Sequence, residues 1–396
     1  MRIALVTDTY LPEVNGVTTV LARMRRGLRD RGHAVEVIAP AYPRPGPDDE
    51  GVIRRSSVPC PGYSAVRLSW PWTGAVRCEL DRFQPDLVHV VTEGPLGRLG
   101  RRHALTRELP LVTSFHTDFP RYARHYLGAW AVGPARRYLR RFHGAALATH
   151  TPSEITQGEL VSLGLTQAVV WGRGVDSATF TPARRNLARR SQLVAGDRPL
   201  ILHVGRLAAE KDIDTLIRTF ILLHAVLGQR AAFCIAGDGP KAAAVRAALP
   251  FAWHKGFLPR ETLADLYADS DLFLFPSPTE TCGLVALEAM SSGLPVIAAA
   301  AGGVRENVRD GLTGRLVPAG DAHAFAGATR QLVESPEERA AMAQAARAFA
   351  QARDWERELD ALTPLYQAAL ERGRTARRAL GAAPPIPLEA ASGGAS

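Results

Sequence analysis

Glu280 and Glu288 stand in the run Phe275-Pro276-Ser277-Pro278-Thr279-Glu280-Thr281-Cys282-Gly283-Leu284-Val285-Ala286-Leu287-Glu288-Ala289-Met290. An apolar strand ends at Phe275, a Pro- and Ser-rich turn follows, and a helical pattern starts near Gly283. Glu280 therefore falls in a loop and Glu288 on a helix, both at the carboxyl edge of one strand. The free N–H groups and positive dipole end of a helix start suit a diphosphate. Carboxylates beside them suit the hydroxyls of a sugar or ribose better than phosphate. Read in isolation, the two glutamates are more simply a solvated helix residue and a loop charge beside a helix start, and the spacing gains force only from its context.

A second element, His203-Val204-Gly205-Arg206-Leu207-Ala208-Ala209-Glu210-Lys211, also directly follows a strand. Arg206 and Lys211 lie across a turn, and Gly205 permits close backbone approach. Two cations at a strand end can neutralise a diphosphate as it leaves; the plainer alternative pairs them with Glu210 and Asp212. In the first half, Asn15-Gly16-Val17 follows the first strand and opens a helix, so the Gly16 amide can approach an anion or a sugar. The run is not the G-x-G-x-x-G fingerprint, which argues against a nicotinamide enzyme. Ser114-Phe115-His116-Thr117-Asp118 ends another strand and puts His116 at a cleft edge, able to contact a sugar hydroxyl or carry a proton, with Asp118 as its polar companion. The triplets Asp212-Ile-Asp214 and Asp269-Ser-Asp271 read as a helix first turn and a loop entering a strand rather than as metal ligands. No metal dependence is expected.

The elements that must position these residues alternate between short aliphatic runs and longer helical stretches, the pattern of parallel βαβ units in an α/β fold. Strands are expected over 3–7, 34–39, 87–91, 111–115, 145–149 and 168–171, and a second series over 200–204, 232–236, 272–275 and 295–299. Two doubly wound sheets result, and ligands of such sheets bind beyond the carboxyl ends of the strands, in the cleft between them. The expected division is an N-terminal domain over 1–182, a basic linker over 183–198 and a C-terminal domain over 199–353. An amphipathic helix over 354–372 carries Trp355, Leu359, Leu362, Leu365 and Tyr366 at helical spacing. The Pro-, Gly- and Ser-rich stretch 381–396 reads as disordered.

With 396 residues, 46% of them hydrophobic and 22% charged, the chain can fill two cores, and a small disulfide scaffold is excluded. Four cysteines, Cys60, Cys78, Cys234 and Cys282, show neither metal-ligand nor framework spacing, which fits a reducing cytoplasm. The apolar start is cut short by Asp8 and does not predict a signal peptide. Forty-eight Lys and Arg against 39 Asp and Glu leave a net charge of +9, favouring anionic partners. Arg23, Arg25, Arg26, Arg29 and Arg31 share one helix, and Arg136, Arg137, Arg140 and Arg141 lie beside Trp130, Tyr138 and Leu139. Such helices can rest on an anionic membrane surface or form a solvated basic face. No nucleic-acid motif accompanies the charge.

Taken in order, these segments resemble the retaining nucleotide-sugar glycosyltransferases of family 4, whose fold is GT-B, two Rossmann-like domains facing across a cleft. The resemblance runs from residue 1 to about residue 370 and rests on Asp8-Thr9-Tyr10-Leu11-Pro12 to Gly16-Val17, Phe115-His116-Thr117, Gly174-Val175-Asp176, Val204-Gly205-Arg206-Leu207 with Glu210-Lys211, Gly237-Asp238-Gly239-Pro240, and the E-x7-E stretch. Within the family the chain looks most like GDP-mannose-dependent mannosyltransferases and the sulfoquinovosyl and other glycolipid transferases. The resemblance implies that Arg206 and Lys211 hold the donor diphosphate, Glu288 the ribose and Glu280 the sugar hydroxyls. The amides of Gly283, Leu284 and Val285 complete the cradle. Gly16 approaches the phosphates from the opposite domain, His116 sits by the donor sugar, and the turn His254-Lys255-Gly256-Phe257 lies near the base. Asn15-Gly16 departs from the Gly-Gly of many relatives. The implied reaction moves a hexose from a nucleotide sugar to a lipid or glycan acceptor without a cofactor, on a protein that is cytoplasmic or peripheral at the inner membrane face. A nucleotide-sugar epimerase, a glycoside hydrolase using both glutamates and an inactive sugar-nucleotide-binding protein are the competing classes.

Overall fold

The computed structural model describes residues 1–43, 50–60, 63–69 and 73–379. Its first half contains strands β1 (Arg2–Val6), β2 (Ala34–Pro40), β3 (Val52–Arg55), β4 (Ser57–Cys60), β5 (Tyr63–Ser69), β6 (Leu87–Val90), β7 (Leu111–Ser114), β8 (Ala148–Thr151) and β9 (Ala168–Val170). The second half contains β10 (Leu200–Val204), β11 (Ala232–Ala236), β12 (Trp253–Gly256), β13 (Leu272–Phe275), β14 (Val296–Ala299) and β15 (Gly314–Val317). Seven strands form a parallel sheet in the order β3-β2-β1-β6-β7-β8-β9, and six form a second in the order β12-β11-β10-β13-β14-β15. Strands such as Leu87–Val90 and Leu272–Phe275 are buried at every position because helices cover both faces.

In each sheet the order reverses beside the first strand of its half, β1 and β10, which places the ligand-binding crevice beyond Val6 and Val204. Apolar clusters fill both faces of both sheets. One is built on Leu202, Phe273, Phe275, Leu287 and Met290, and its opposite face on Ile201, Phe220, Phe233, Leu274 and Phe325. The cluster on Ile3, Leu5, Leu21 and Val37 also takes in Trp355, Leu359, Leu362 and Tyr366, so the helix Trp355–Ala379 closes the first sheet rather than the second.

That helix extends beyond the expected 372, and its fit against the first helix, Gly16–Asp30, is tight. A Cβ on Gly27 would lie 2.4 Å from Leu359 Cδ1. The expected tail over 381–396 lies outside the described residues. Several expectations are corrected. The strand expected over 145–149 sits at Ala148–Thr151, because Ala146 closes a backbone turn onto His143 after the preceding helix. The antiparallel ribbon β4–β5 and the edge strands β3, β12 and β15 carry weaker apolar patterns than the central strands. The residues His254, Lys255 and Gly256, expected in a turn, belong to β12.

The basic stretch between the sheets is pinned to the second one. Arg184 pairs with Asp265 and Glu261, Arg189 with Asp269, and Arg185 and Arg190 with Asp271. Both carboxylates of Asp269-Ser-Asp271 are thereby engaged in structure, and Asp271 also accepts from the Leu200 amide at 2.8 Å, fixing where β10 begins. Asp212 caps the helix Ile213–Leu227 while Asp214 in its first turn pairs with Lys241.

Candidate functional site

Two helix N-termini meet between the sheets. The first helix starts at Gly16 behind Asn15, whose Oδ1 accepts from the Thr18 amide at 2.9 Å while the Thr18 hydroxyl accepts from the Asn15 amide, a reciprocal capping box. The departure from Gly-Gly thus fixes the helix start and leaves the Gly16 position open, since a Cβ there would meet nothing nearer than Leu284 Cδ1 at 3.9 Å. Leu284 opens the facing helix, Leu284–Ser291. No side chain caps that helix, and its N-cap Gly283 takes φ +77°, a left-handed conformation suited to glycine. The first-turn amides of Gly283, Leu284 and Val285 are those that an uncapped helix offers to an anion.

The loop leading to this helix is held from every side. Thr279 Oγ1 donates to the Glu210 carbonyl at 2.9 Å, Thr281 Oγ1 to the His116 carbonyl at 2.9 Å, and Asn307 Nδ2 to the Cys282 carbonyl at 2.6 Å. The Gly303 amide donates to the Glu280 carbonyl at 2.7 Å. A Cβ on Gly303 would lie 2.0 Å from the Thr281 oxygen, so the Gly302-Gly303 pair lets a second loop buttress the first. The pair has a signature in the sequence, two adjacent glycines directly after the apolar stretch ending in β14, which the motifs above do not include.

Within the loop, Glu280 Oε1 accepts from Lys211 Nζ at 2.6 Å and from Ser277 Oγ at 2.9 Å. Burial opposes the charge on Lys211, yet the Glu280 carboxylate overrides it and raises the ammonium above its ordinary range. The alternative pairing of Lys211 with Glu210 or Asp212 is not what forms. Arg206 lies at the end of β10, partly buried, with burial lowering its affinity for the proton and Glu210 and Glu13 opposing that effect. Gly237, on the adjoining loop at φ +144°, passes so close that a Cβ would lie 1.9 Å from the Gly205 carbonyl.

Glu288 lines a small cavity of about 10 Å³ with Thr19, Asp176, Arg260, Leu284 and Trp355. Among the described residues its carboxylate makes no hydrogen bond, and burial pushes it up to about 7, against the pull of Arg260 and with the help of Asp176. Asp176 itself is held by Arg23 of the first helix and by Arg260 at 3.1 Å, and Arg23 lowers it to about 2 although burial acts the other way. His116 follows β7 and is partly buried; burial, then Arg173 and His150, holds its imidazole well below the ordinary value, so the ring is neutral. Asp118 is not its companion: it caps the helix Phe119–Leu127 through the Arg121 amide and pairs with the Arg121 guanidinium at 2.8 Å. Gly256 at φ +63° ends β12 and the exposed Phe257 follows it; the Gly256 carbonyl accepts from the Gly237 amide at 2.8 Å.

Of the five arginines expected on the first helix, Arg23, Arg25 and Arg31 are committed inside the protein, Arg31 just past the helix end, while Arg26 and Arg29 are exposed. Arg25 is 1% exposed, Arg31 pairs with Glu356 and Asp360 of the terminal helix, and Arg23 with Asp176. The second cluster keeps more of its charge at the surface: Arg136, Arg137, Arg140 and Arg141 are exposed and unpaired among the described residues. Arg136, Arg137 and Arg140 line a recess of about 320 Å³, and Trp130 nearby is 74% exposed. No group of three or more His, Cys, Asp or Glu side chains that could hold a metal ion occurs among the described residues. No helix among them is long and apolar enough to cross a membrane.

Comparison with known proteins places both halves. The description "Glycosyltransferase Family 4" matches residues 14–179, and "Glycosyl transferases group 1" matches residues 184–349. The chain is 35% identical to a GDP-mannose-dependent alpha-mannosyltransferase of Mycobacterium tuberculosis, over 96% of this chain and 99% of that one. It is 34% identical to a sulfoquinovosyl transferase of Arabidopsis thaliana, over 89% of this chain and 71% of the relative. A crystal structure of Anabaena HepE in complex with UDP superposes with a TM-score of 0.75 at 20% identity, covering 93% of this chain and all of that one, a likeness in fold.

Proposed function

The chain belongs to the family-4 glycosyltransferases, retaining enzymes of GT-B fold, and from that premise we propose that it transfers mannose from GDP-mannose to a lipid or glycan acceptor. The observation that carries the reading is the meeting of the two helix N-termini at Gly16 and Leu284, beside the Lys211–Glu280 pair and the unpaired Glu288. A diphosphate fits among the amides of Gly16, Gly283, Leu284 and Val285 with Arg206 and Lys211 as its cations. Glu288 accepts from the ribose hydroxyls and Glu280 from the sugar. The neutral His116 imidazole contacts the transferring sugar, and Gly256 with Phe257 borders the base.

In this arrangement the bond between the anomeric carbon and the diphosphate oxygen breaks while the acceptor oxygen attacks from the same face. The acceptor's proton passes to the departing diphosphate oxygen, so no carboxylate nucleophile is needed. Arg206, Lys211 and the helix amides stabilise the charge that grows on the leaving group, the largest contribution expected of such a site. A metal is not required for that role, and nucleotide release should continue in the presence of a chelator.

A UDP-sugar-dependent glycolipid synthase is the second reading, favoured by the sulfoquinovosyl relative. A lipid acceptor at the cytoplasmic membrane face is supported by the exposed Phe119, Leu127 and Trp130 beside exposed Arg124, Arg136, Arg137 and Arg140. The deciding experiment offers GDP-mannose, UDP-glucose, UDP-galactose and UDP-sulfoquinovose with and without total lipid extract and follows nucleotide release. Lipid-stimulated release from GDP-mannose supports the proposal, and release from a UDP-sugar in its place replaces the donor. Conversion of a donor without any acceptor would mark an epimerase.

A further inference from the structure

The helix Phe119–Leu127 buries none of its residues, yet it bridges the two halves of the site. At its start Arg121 Nη1 donates to the Pro278 carbonyl of the Glu280 loop at 3.1 Å. At its end the Tyr126 hydroxyl donates to Glu210 Oε2 at 2.6 Å. Glu210 is 1% exposed and adjoins Lys211, and its carbonyl accepts from Thr279, the neighbour of Glu280. One residue thus ties together the phosphate-facing turn, the sugar-facing loop and a helix from the opposite half. Little apolar packing holds this helix, so its polar contacts set its position.

Tyr122 lies one turn before Tyr126, with ring centroids 6.4 Å apart. Its side chain is partly buried, and its hydroxyl makes no hydrogen bond among the described residues. Burial raises its pKa, so the phenol stays neutral, and one turn along the Tyr126 hydroxyl reaches Glu210, the neighbour of Lys211. A neutral phenol orients a hydroxyl through a hydrogen bond and does not serve as a base.

We propose, resting on the transferase reading, that Tyr126 is a positioning residue and Tyr122 an acceptor-contacting residue: the Tyr126–Glu210 hydrogen bond holds the helix over Lys211 and Glu280 so that the Tyr122 hydroxyl meets the acceptor's attacking hydroxyl. The acceptor is the partner assigned because the donor reading uses no residue of this helix, whose far end is tied to Glu210 beside Lys211.

The test compares wild type with Tyr122→Phe, Tyr126→Phe, Glu210→Gln and the Tyr126→Phe/Glu210→Gln double variant in the full chain, by transfer kinetics and by titration with the nucleoside diphosphate. Tyr126→Phe should lower kcat about 10- to 100-fold, the loss expected for one hydrogen bond to a charged group. Its nucleotide Kd should stay within about threefold of wild type. The double variant should lose no more than the worse single variant, since the two act through one bond. Tyr122→Phe should raise the acceptor KM with little change in the donor KM. Additive losses, wild-type kcat in Tyr126→Phe, or a Tyr122→Phe defect confined to the donor KM would overturn the inference while leaving the transferase reading intact. A wild-type chain that transfers from no donor would remove both.

Discussion

Lys211 Nζ and Glu280 Oε1, 69 residues apart in sequence, are joined at 2.6 Å, and Ser277 donates to the same carboxylate oxygen. The arrangement leaves Glu280 Oε2 without a protein partner among the described residues and leaves two of the three ammonium N–H bonds of Lys211 for another acceptor. The pair can therefore hold a sugar hydroxyl and a phosphate oxygen at once without separating. Each charge also compensates the other in a setting where side-chain exposure is 18% for Lys211 and 15% for Glu280.

Lys211→Ala should consequently lower turnover on the order of 10²-fold or more, by removing a cation from the leaving diphosphate. It should also lower Tm, because Glu280 is left without its counter-charge. The double variant Lys211→Met/Glu280→Gln separates the two effects: its Tm should recover toward wild type while its turnover does not. Wild-type turnover in Lys211→Ala with the same donor would remove Lys211 from the chemistry.

Glu288 gives a pH signature. Its carboxyl is pushed up to about 7 from an ordinary 4.5, chiefly by burial. As the ionised form is the better acceptor for ribose hydroxyls, donor affinity should rise as pH increases through 7, and Glu288→Gln should bind donor about tenfold more weakly with that inflection gone. Stability moves the other way. The folded state keeps a proton that the unfolded chain releases, so the contribution is fully present below about 4.5 and is lost as pH rises through 7. Glu288→Gln should thus raise Tm relative to wild type at pH 8 and not at pH 4. A donor-affinity profile that is flat from pH 6 to 8 would refute the ribose contact.

The alternation of aliphatic runs and helical stretches exposed both sheets because strands such as Leu200–Val204 are buried on both faces. It missed β12 and β15 for the converse reason: Trp253–Gly256 and Gly314–Val317 are edge strands, partly exposed. The site was legible where a motif lies within one loop, as at Arg206 to Lys211 and Glu280 to Glu288. It was illegible where partners are far apart in sequence. That Lys211 pairs with Glu280 and not Asp212, or that Glu210 accepts from Tyr126, follows from how the halves are packed. Asp118 looked like a partner for His116 because they are two residues apart, but a helix starting at Phe119 has unpaired amides of its own, and Asp118 serves those.

Gly303 tests whether the buttress under Glu280 matters. A Cβ there would lie 2.0 Å from the Thr281 carbonyl, a backbone atom with little freedom to withdraw. Gly303→Ala should shift the Glu280–Thr281 segment, weaken the Thr281–His116 contact of 2.9 Å and cut turnover about tenfold or more, while circular dichroism stays that of the wild type. Unchanged turnover in this variant would show that the loop is positioned by its other ties.

The exposed arginines make a prediction about surfaces that is independent of the reaction. Arg136, Arg137 and Arg140 converge on one recess and make no ion pair among the described residues, and Trp130 projects beside them. Each basic side chain near an anionic bilayer contributes about 1 kcal/mol, so charge reversal at all three positions should abolish binding to vesicles containing phosphatidylglycerol. Trp130→Ala should weaken it by a smaller factor that persists at high salt, because burial of the indole is not screened while the arginine contribution is. Binding to zwitterionic vesicles should be weak for every variant. Sedimentation with vesicles at two salt concentrations distinguishes the contributions. Equal binding by wild type and the charge-reversed variant would assign these arginines to an ordinary solvated face, and the acceptor would then have to reach the cleft from solution.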